Sequence, residues 1–121
     1  MIKEDYVSRE TYNLLKEKGY DGEFKTCYDI EGYAYHAIHL YDAMKWFRET
    51  YNFNISVSIG TDASSDADGK IVEEWSFWTY LIESTYGNII YDACAQFDPV
   101  EYQSYEEACE EAIKYCLENL I

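Results

Sequence analysis

The sequence predicts an α+β fold: an antiparallel sheet of four to five strands with three helices mainly on one face, in the order α-β(β)-α-β-β-β-α. Three observations predict it. Residues 74–96 form two aromatic and β-branched runs around a turn-like Thr-Tyr-Gly-Asn at 85–88. Residues 54–60 alternate between apolar and polar side chains, as a half-buried strand does. Residues 104–120 repeat apolar side chains at spacings of three and four, which is typical of an amphipathic helix.

Size and composition are those of one folded domain over residues 1–121. Apolar residues make up 48% of the chain and aromatic residues 18%, whereas a disordered chain lacks the side chains to build a core. A chain of this length needs no metal or disulfide to fold.

The first half of the chain predicts a helix, a hairpin and a second helix. The first helix covers residues 8–18, with Ser8 as its N-terminal cap and Gly19 just past its end. Residues 24–30 alternate as a strand, and residues 33–35 form a short returning strand. The second helix runs from about Ala37 to Tyr51. Its buried side comprises Leu40, Ala43, Met44, Phe47 and Tyr51, with Trp46 at the rim.

The second half predicts the sheet and a closing helix. Ile55, Val57 and Ile59 point inward from the strand at 54–60, and a polar loop follows at 61–70. The hairpin in 74–96 is the organising element, its first strand is either interior to the sheet or covered on both faces, and the sheet ends at 98–99. Its apolar side chains are Trp75, Phe77, Trp78, Tyr80, Leu81, Ile82, Ile89, Ile90 and Tyr91.

The last helix begins at Ser104, which forms a capping box with Glu107. Glu110 and Lys114 are an i,i+4 ion pair in the favoured order on its polar face. Its buried face comprises Ala108, Cys109, Ala112, Ile113, Cys116, Leu117 and Leu120.

The formal charge of −15 is unevenly distributed. Residues 1–48 hold nine acids and seven bases, net −2, whereas residues 49–121 hold fifteen acids and two bases, net −13. Such a surface repels phosphate backbones, so we expect no direct binding of nucleic acid. It favours a basic partner or cations; the alternative is that the charge serves solubility alone.

The cysteines and the N-terminus predict a cytoplasmic protein. Cys27, Cys94, Cys109 and Cys116 include no C-x-x-C pair, and Cys109 and Cys116 fall on the apolar helix face as small core residues. The first ten residues lack the apolar stretch of a signal peptide, and no run reaches the length of a membrane span. Reduced thiols without an export signal are typical of the cytoplasm.

Three segments carry a resemblance to a known family: MKWFRETYNFNISV, EEWSFWTYLIE and YEEACEEAIKYCLENLI, in this order. With them the chain resembles a family of small uncharacterised acidic α+β proteins of gut Bacteroides genomes and their prophages, over most of its length. The shared motifs are structural, and the family has no established activity. The resemblance therefore implies the fold boundaries and a bacterial, mobile-element origin, and it assigns no functional residue.

Two sequence patterns resemble metal-binding sites weakly, and each also has a simpler explanation. His36 and His39, with Asp42 three residues further on, lie at helical spacing and would share a metal only if all three faced one way. Asp66 and Asp68 precede Gly69 as in a calcium loop, but Trp75 stands where that loop needs a bidentate Glu. Helix-start hydrogen bonding and an ordinary hairpin loop explain both patterns more simply.

No catalytic motif is present, since the sequence contains no G-x-S-x-G, P-loop or G-x-G-x-x-G. Fourteen tyrosines suit a partner surface, because tyrosine offers a large, rigid contact area with a polar tip. Candidates for partner contact are Tyr86, Tyr102, Tyr115, Glu107 and Glu111, and Tyr20 is also expected to be exposed.

We therefore predict a non-enzymatic interaction module with an acidic, tyrosine-bearing surface and no cofactor. Its sharper version is a phage-type inhibitor of a basic or nucleic-acid-binding protein. The alternative is a small metal-binding or enzymatic domain that uses His36, His39 and Asp42, or the loop of Asp66 and Asp68. An open sheet edge also makes a homodimer a candidate assembly.

Overall fold

The computed structural model describes residues 6–96 and 100–121, and within them the chain folds as an α+β protein with three α-helices. The elements in chain order are α1 (Arg9–Glu17), β1 (Lys25–Tyr28), β2 (Ala34–Ala37), α2 (Leu40–Tyr51), β3 (Phe53–Ser65), β4 (Ile71–Ser84), β5 (Ile89–Asp92) and α3 (Tyr105–Tyr115). A 3₁₀ turn at Ala93–Ala95 follows β5, and a π-helical turn at Cys116–Leu120 continues α3. None of these helices has the length and apolar character needed to cross a membrane.

The prediction of one sheet of four to five strands is wrong, because the described strands form two separate antiparallel sheets. β1 and β2 pair only with each other, and β3, β4 and β5 form the second sheet with β4 in the centre. The first hairpin is four residues long on each side and most of its side chains are exposed. Its alternating pattern therefore indicated a strand correctly but not a buried face.

The two N-terminal helices end close to the predicted positions. Ser8 caps α1 by accepting the N–H of Thr11 at 3.2 Å, and Gly19 takes the left-handed conformation at φ 90°. α2 begins three residues later than predicted, because Ala37 still belongs to β2. Trp46 is buried rather than at the rim, and its indole N–H donates to Asp21 Oδ1 at 2.9 Å.

β3 and β4 form a hairpin much longer than the sequence predicted. They pair in register from Phe53 opposite Ser84 to Ser64 opposite Glu73, so the predicted loop at 61–70 shortens to residues 66–70. Ile55 and Val57 pack against the core as expected. Ile59 lies on the same face but is 60% exposed, since it lies near the limit of the packed region.

β5 contributes less to the core than its apolar sequence predicted. Ile89 and Ile90 are exposed, and only Tyr91 turns toward the helices. Cys94 lies in a 3₁₀ turn rather than a strand, because Asp92 Oδ1 accepts its N–H at 3.0 Å and bends the chain. The predicted end of the sheet at 98–99 lies outside the described residues.

The core lies between α2, α3 and one face of the β3–β4–β5 sheet, and α1 contacts α3. Its largest fully buried side chains include Phe47, Leu15, Ile38, Ile82, Ile113 and Leu117. Each such side chain contributes roughly 1.5–3 kcal/mol through removal of its apolar surface from water.

α3 starts as predicted, but its polar face makes different contacts. Ser104 Oγ accepts the N–H of Glu107 at 3.1 Å, which is one half of the predicted capping box; the return bond from Ser104 N–H to the Glu107 carboxylate does not form among the described residues. Glu110 does not pair with Lys114; Glu110 Oε1 instead accepts the backbone N–H of Ser8 at 2.8 Å. Lys114 Nζ lies 3.6 Å from Glu10 Oε1. The two carboxylates therefore join α3 to α1 rather than stabilising α3 alone.

Candidate interaction surface

The outer part of the β3–β4 hairpin, residues 60–76, projects past the packed helices and is called the acidic arm below. It carries five acids and one base, net −4, and all six side chains are exposed. These charged residues are Asp62, Asp66, Asp68, Lys70, Glu73 and Glu74. Ile71 is 59% exposed and Val72 63%, and Trp75 is 37% exposed. The arm thus presents apolar side chains among carboxylates.

A tight turn closes the arm and uses one of its acids. Asp66 N–H donates to Lys70 O, and Asp66 Oδ1 accepts the N–H groups of Asp68 and Lys70, each at 2.9 Å. Gly69 permits the turn because its φ of 81° is accessible to glycine without strain. The Asp66 carboxylate is therefore part of the turn, as the hairpin-loop explanation of this segment requires.

A buried aromatic ring fixes the base of the arm. Phe77 lies directly opposite Gly60, and a Cβ on Gly60 would stand 2.8 Å from the ring's Cζ. The ring is only 8% exposed because it lies over the glycine. One residue further in, Trp78 packs edge-on against Tyr105 of α3, with ring centroids 5.6 Å apart. The Phe77 contact thus joins the two strands of the hairpin, and the Trp78 contact joins the hairpin to α3.

The histidine pattern does not form a shared site. His36 belongs to β2 and its ring lies 4.5 Å from that of Phe24, whereas His39 caps α2 by accepting the N–H of Tyr41 on Nδ1 at 3.1 Å. The sequence spacing predicted that His36, His39 and Asp42 lie together on a helix. In the structure only Asp42 lies within α2, so the three side chains do not share a helix face. Within residues 6–96 and 100–121, no three His, Cys, Asp or Glu side chains converge as metal ligands would.

Of the four tyrosines predicted to be exposed to solvent, only one is almost fully exposed. Tyr86, at the turn between β4 and β5, is 89% exposed. Tyr20 and Tyr102 are buried, which corrects the expectation of exposure for both. Tyr115 is half-buried and stacks on Tyr91 with centroids 3.9 Å apart. Sequence context missed these because a tyrosine beside polar residues still packs its ring when the backbone turns it inward.

Backbone hydrogen bonds hold Tyr102 beside the central strand, β4. Tyr102 exchanges two backbone hydrogen bonds with Trp78, of 2.8 and 3.0 Å, on the same edge of β4 that β5 covers at residues 81–83. Burial raises the pKa of Tyr102, and the nearby carboxylate of Glu111 raises that pKa further. Glu107 and Glu111 were the two acids predicted to contact a partner. Glu111 is half-buried near Tyr80 and Tyr102, whereas Glu107 is exposed.

The cysteines divide into two buried and two more accessible thiols. Cys109 and Cys116 are fully buried, as the helix pattern predicted. Burial raises the pKa of Cys109 to about 11 and that of Cys116 to about 12, so neither is ionised near neutral pH. Cys27 is half-buried and Cys94 is exposed.

Sequence reasoning missed the exposed apolar residues of the acidic arm. Trp75 was expected in the hairpin core, but it lies on the arm and donates its indole N–H to Glu101 Oε1 at 2.9 Å. The signal that would have found it is the polar run at 61–65, which pairs with 71–76 and leaves no apolar partner across the strands.

Comparison with known proteins adds no assignment, since no family model, curated protein or solved structure matches this chain.

Proposed function

We propose that the protein is a non-enzymatic interaction module that binds a basic protein partner through its acidic arm. The observation that carries the proposal is the exposure of Ile71, Val72 and Trp75 on a projecting hairpin that also presents five carboxylates. We also propose that it acts in the cytoplasm.

The apolar part of the arm supports this proposal energetically. Apolar side chains grouped in water mark a surface that another molecule covers. A two-stranded hairpin is also marginally stable by itself, so a long one kept outside the core gains stability when a partner packs on it. Trp75 is suited to anchor such a contact, because tryptophan is among the residues that carry most binding energy at interfaces.

The charges of the arm support a basic partner. Carboxylates around an apolar contact steer a positively charged surface into place and repel an acidic one. Asp62 lies directly opposite Trp75 and Glu73 two residues before it, so both carboxylates share a face of the hairpin with Trp75, whereas Glu74 points to the other face. The matching partner surface carries lysines and arginines around an apolar or aromatic patch.

In the sharper version of this proposal, the partner is a nucleic-acid-binding protein and the arm occupies its phosphate-binding surface. A projecting hairpin with spaced carboxylates offers such a surface the sign of charge it is built to bind. The resemblance to Bacteroides and prophage proteins favours an inhibitor of this kind, and that origin stays a prediction.

The test compares two variants of the full chain that lose the same number of charges. The arm variant combines Asp62→Asn, Asp68→Asn, Glu73→Gln and Glu74→Gln, and it leaves the turn-forming Asp66 intact. The control variant neutralises four exposed acids elsewhere: Glu17, Glu31, Glu49 and Glu118, each changed to Gln. Binding to a panel of purified basic DNA-binding proteins is measured by calorimetry at low and physiological salt.

We expect at least one panel member to bind the wild type, with an affinity that falls as salt increases. The arm variant should bind that protein roughly tenfold more weakly or worse, while the control changes by less than about threefold. Addition of the wild type should also displace a DNA duplex from the same protein. Equal loss in the two variants, or binding insensitive to salt, would refute the proposal.

A further inference from the structure

A groove runs along the outer edge of β2, on the side of that strand away from β1 and far in sequence from the acidic arm. It has a volume of about 480 Å³ and lies between β2 and the first turns of α1. Its lining includes Tyr6, Arg9, Tyr12, Ala34, Tyr35 and His36. The volume is in the range of sites that hold a ligand or a short peptide segment.

The backbone groups that face this groove follow from the pairing of β1 with β2. Asp29 N–H donates to Tyr33 O at 3.0 Å, which makes 29 and 33 a hydrogen-bonded pair. In an antiparallel ladder such pairs alternate, so Cys27 with Tyr35 and Lys25 with Ala37 are the next ones. The N–H and C=O groups of Ala34 and His36 must therefore point away from β1, toward the groove.

An independent contact confirms this alternation. Ile38, two residues beyond His36, points its carbonyl outward and accepts the N–H of Val7 at 2.9 Å. Tyr6 forms an antiparallel bridge with His39 at the same edge. Tyr6 and Val7 thus begin a third strand beside β2, but α1 starts at Arg9 and leads the chain away. Within the described residues, the backbone groups of Ala34 and His36 have no hydrogen-bond partner.

We propose that this groove binds one extended segment of a partner protein, added as a third strand to the edge of β2. Ala34 and His36 supply up to four backbone hydrogen bonds to it, because each offers one donor and one acceptor. The segment continues the line that Tyr6 and Val7 begin. The β2 residues span about 13 Å at the usual rise of a strand, which is room for roughly four residues of the guest.

The charge and the aromatic rings of the groove indicate which side chains the bound segment carries. Arg9 is the only Lys, Arg, Asp or Glu among the lining residues. The guest therefore carries an acidic side chain opposite Arg9, with apolar or aromatic side chains that pack on Tyr12 and Tyr35. This chemistry is opposite in charge to that of the partner proposed for the acidic arm, so the two surfaces bind different segments and either proposal can fail alone.

A second copy of this chain fits the groove less well than a free segment. The β2 edge is recessed beside α1, so pairing two β2 edges would bring the α1 side chains of both copies against each other. It would also place two Arg9 side chains near one another and join two molecules of net charge −15. A segment of another protein avoids both costs.

The test uses the full chain and a matched pair of proline variants. His36→Pro removes a donor that points into the groove and leaves the β1–β2 ladder intact, since His36 makes no bond to β1. Thr26→Pro is the control, because Thr26 is directly opposite His36 and points its N–H to the other edge of the same hairpin. Short random peptides displayed on phage are selected against the immobilised wild type, and the Kd of each enriched peptide is measured.

We expect the enriched peptides to contain an Asp or Glu within an apolar sequence. His36→Pro should weaken their binding roughly tenfold or more, Arg9→Gln should weaken it about fivefold or more, and Thr26→Pro should leave it within about twofold. Hydrogen exchange on the wild type should show the amides of Ala34 and His36 protected only when peptide is bound. This last measurement decides the proposal even where a proline variant fails to fold.

Three results would overturn it. The first is that no peptide is enriched. The second is that enriched peptides bind equally to His36→Pro and wild type, or leave the exchange of Ala34 and His36 unchanged. The third is a wild-type dimer in sedimentation that His36→Pro, but not Thr26→Pro, converts to monomer, since the occupant would then be a second copy.

Discussion

At the scale of single residues, Glu110 shows how a surface pattern becomes a tertiary contact. The helix pattern placed it on the polar face of α3, but its Oε1 accepts the N–H of Ser8, the residue that caps α1. A carboxylate at this position also interacts favourably with the positive end of α1. Its other oxygen is buried and has no hydrogen-bond partner among the described residues, which offsets part of the gain.

We predict that Glu110→Ala lowers the free energy of unfolding by about 1 to 2 kcal/mol, because α1 loses its charged acceptor. Glu118→Ala is the control, since Glu118 is an exposed acid on the turn that follows α3. It should change the same quantity by less than about 0.5 kcal/mol. Urea unfolding followed by far-ultraviolet circular dichroism measures both, and equal effects would show that the contact with Ser8 contributes nothing.

At the scale of elements, the β3–β4 hairpin is one structural unit with two environments. Its inner half is central to the core, and its outer half is the acidic arm. The boundary lies where Phe77 covers Gly60, since a ring over a glycine shields backbone that would otherwise be open to water. The position is thus occupied by glycine because the ring needs the space, not because the backbone needs a positive φ.

This arrangement predicts coupling between the two residues. Gly60→Ala should cost about 1 kcal/mol in the wild type because the new Cβ displaces the Phe77 ring, and Phe77→Ala should cost about 3 kcal/mol. In the Phe77→Ala background, Gly60→Ala should cost nothing, since the ring is gone. A double-mutant cycle by chemical denaturation measures the coupling. The same cost for Gly60→Ala in both backgrounds would contradict the contact.

At the scale of the whole molecule, buried cysteine thiols and tyrosine hydroxyls make the stability of the fold sensitive to alkaline pH. The usual pKa of a thiol is 9.0, and burial raises it to about 11 for Cys109 and about 12 for Cys116. Burial also raises the pKa of Tyr20 and Tyr80 above its usual value. Above pH 9 the unfolded chain releases thiol protons that the folded chain keeps. The stability these groups provide is therefore complete below pH 9 and is lost as the pH rises toward 11 and 12.

We predict that the free energy of unfolding, measured in reducing buffer, falls between pH 8 and pH 11. Each buried thiol contributes a slope that approaches about 1.4 kcal/mol per pH unit. Cys116→Ala should start from a lower stability at pH 8 but decline less steeply, because one titrating group is absent. Cys94→Ala, which removes an exposed thiol, should keep the wild-type slope. Parallel curves for wild type and Cys116→Ala would disprove the assignment.

The sequence by itself determined the features that depend on neighbouring residues. Ser8 and Ser104 cap their helices because a side-chain oxygen beside free N–H groups acts locally. The alternation of 54–60 determined which side of β3 meets the core. For the same reason the class of fold, the three helices and the burial of Cys109 and Cys116 could be predicted.

Tertiary structure alone decided which surfaces remain uncovered. Nothing within β4 itself distinguishes Trp75 on the exposed arm from Phe77 at its buried base; the polar run at 61–65 distinguishes them only through its pairing with β4, which is a tertiary contact. Likewise, the separation of β1 and β2 into their own sheet depends on long-range pairing, and so does the open edge at Ala34 and His36. Both proposed surfaces are of this kind, because exposure is set by contacts between residues far apart in the chain.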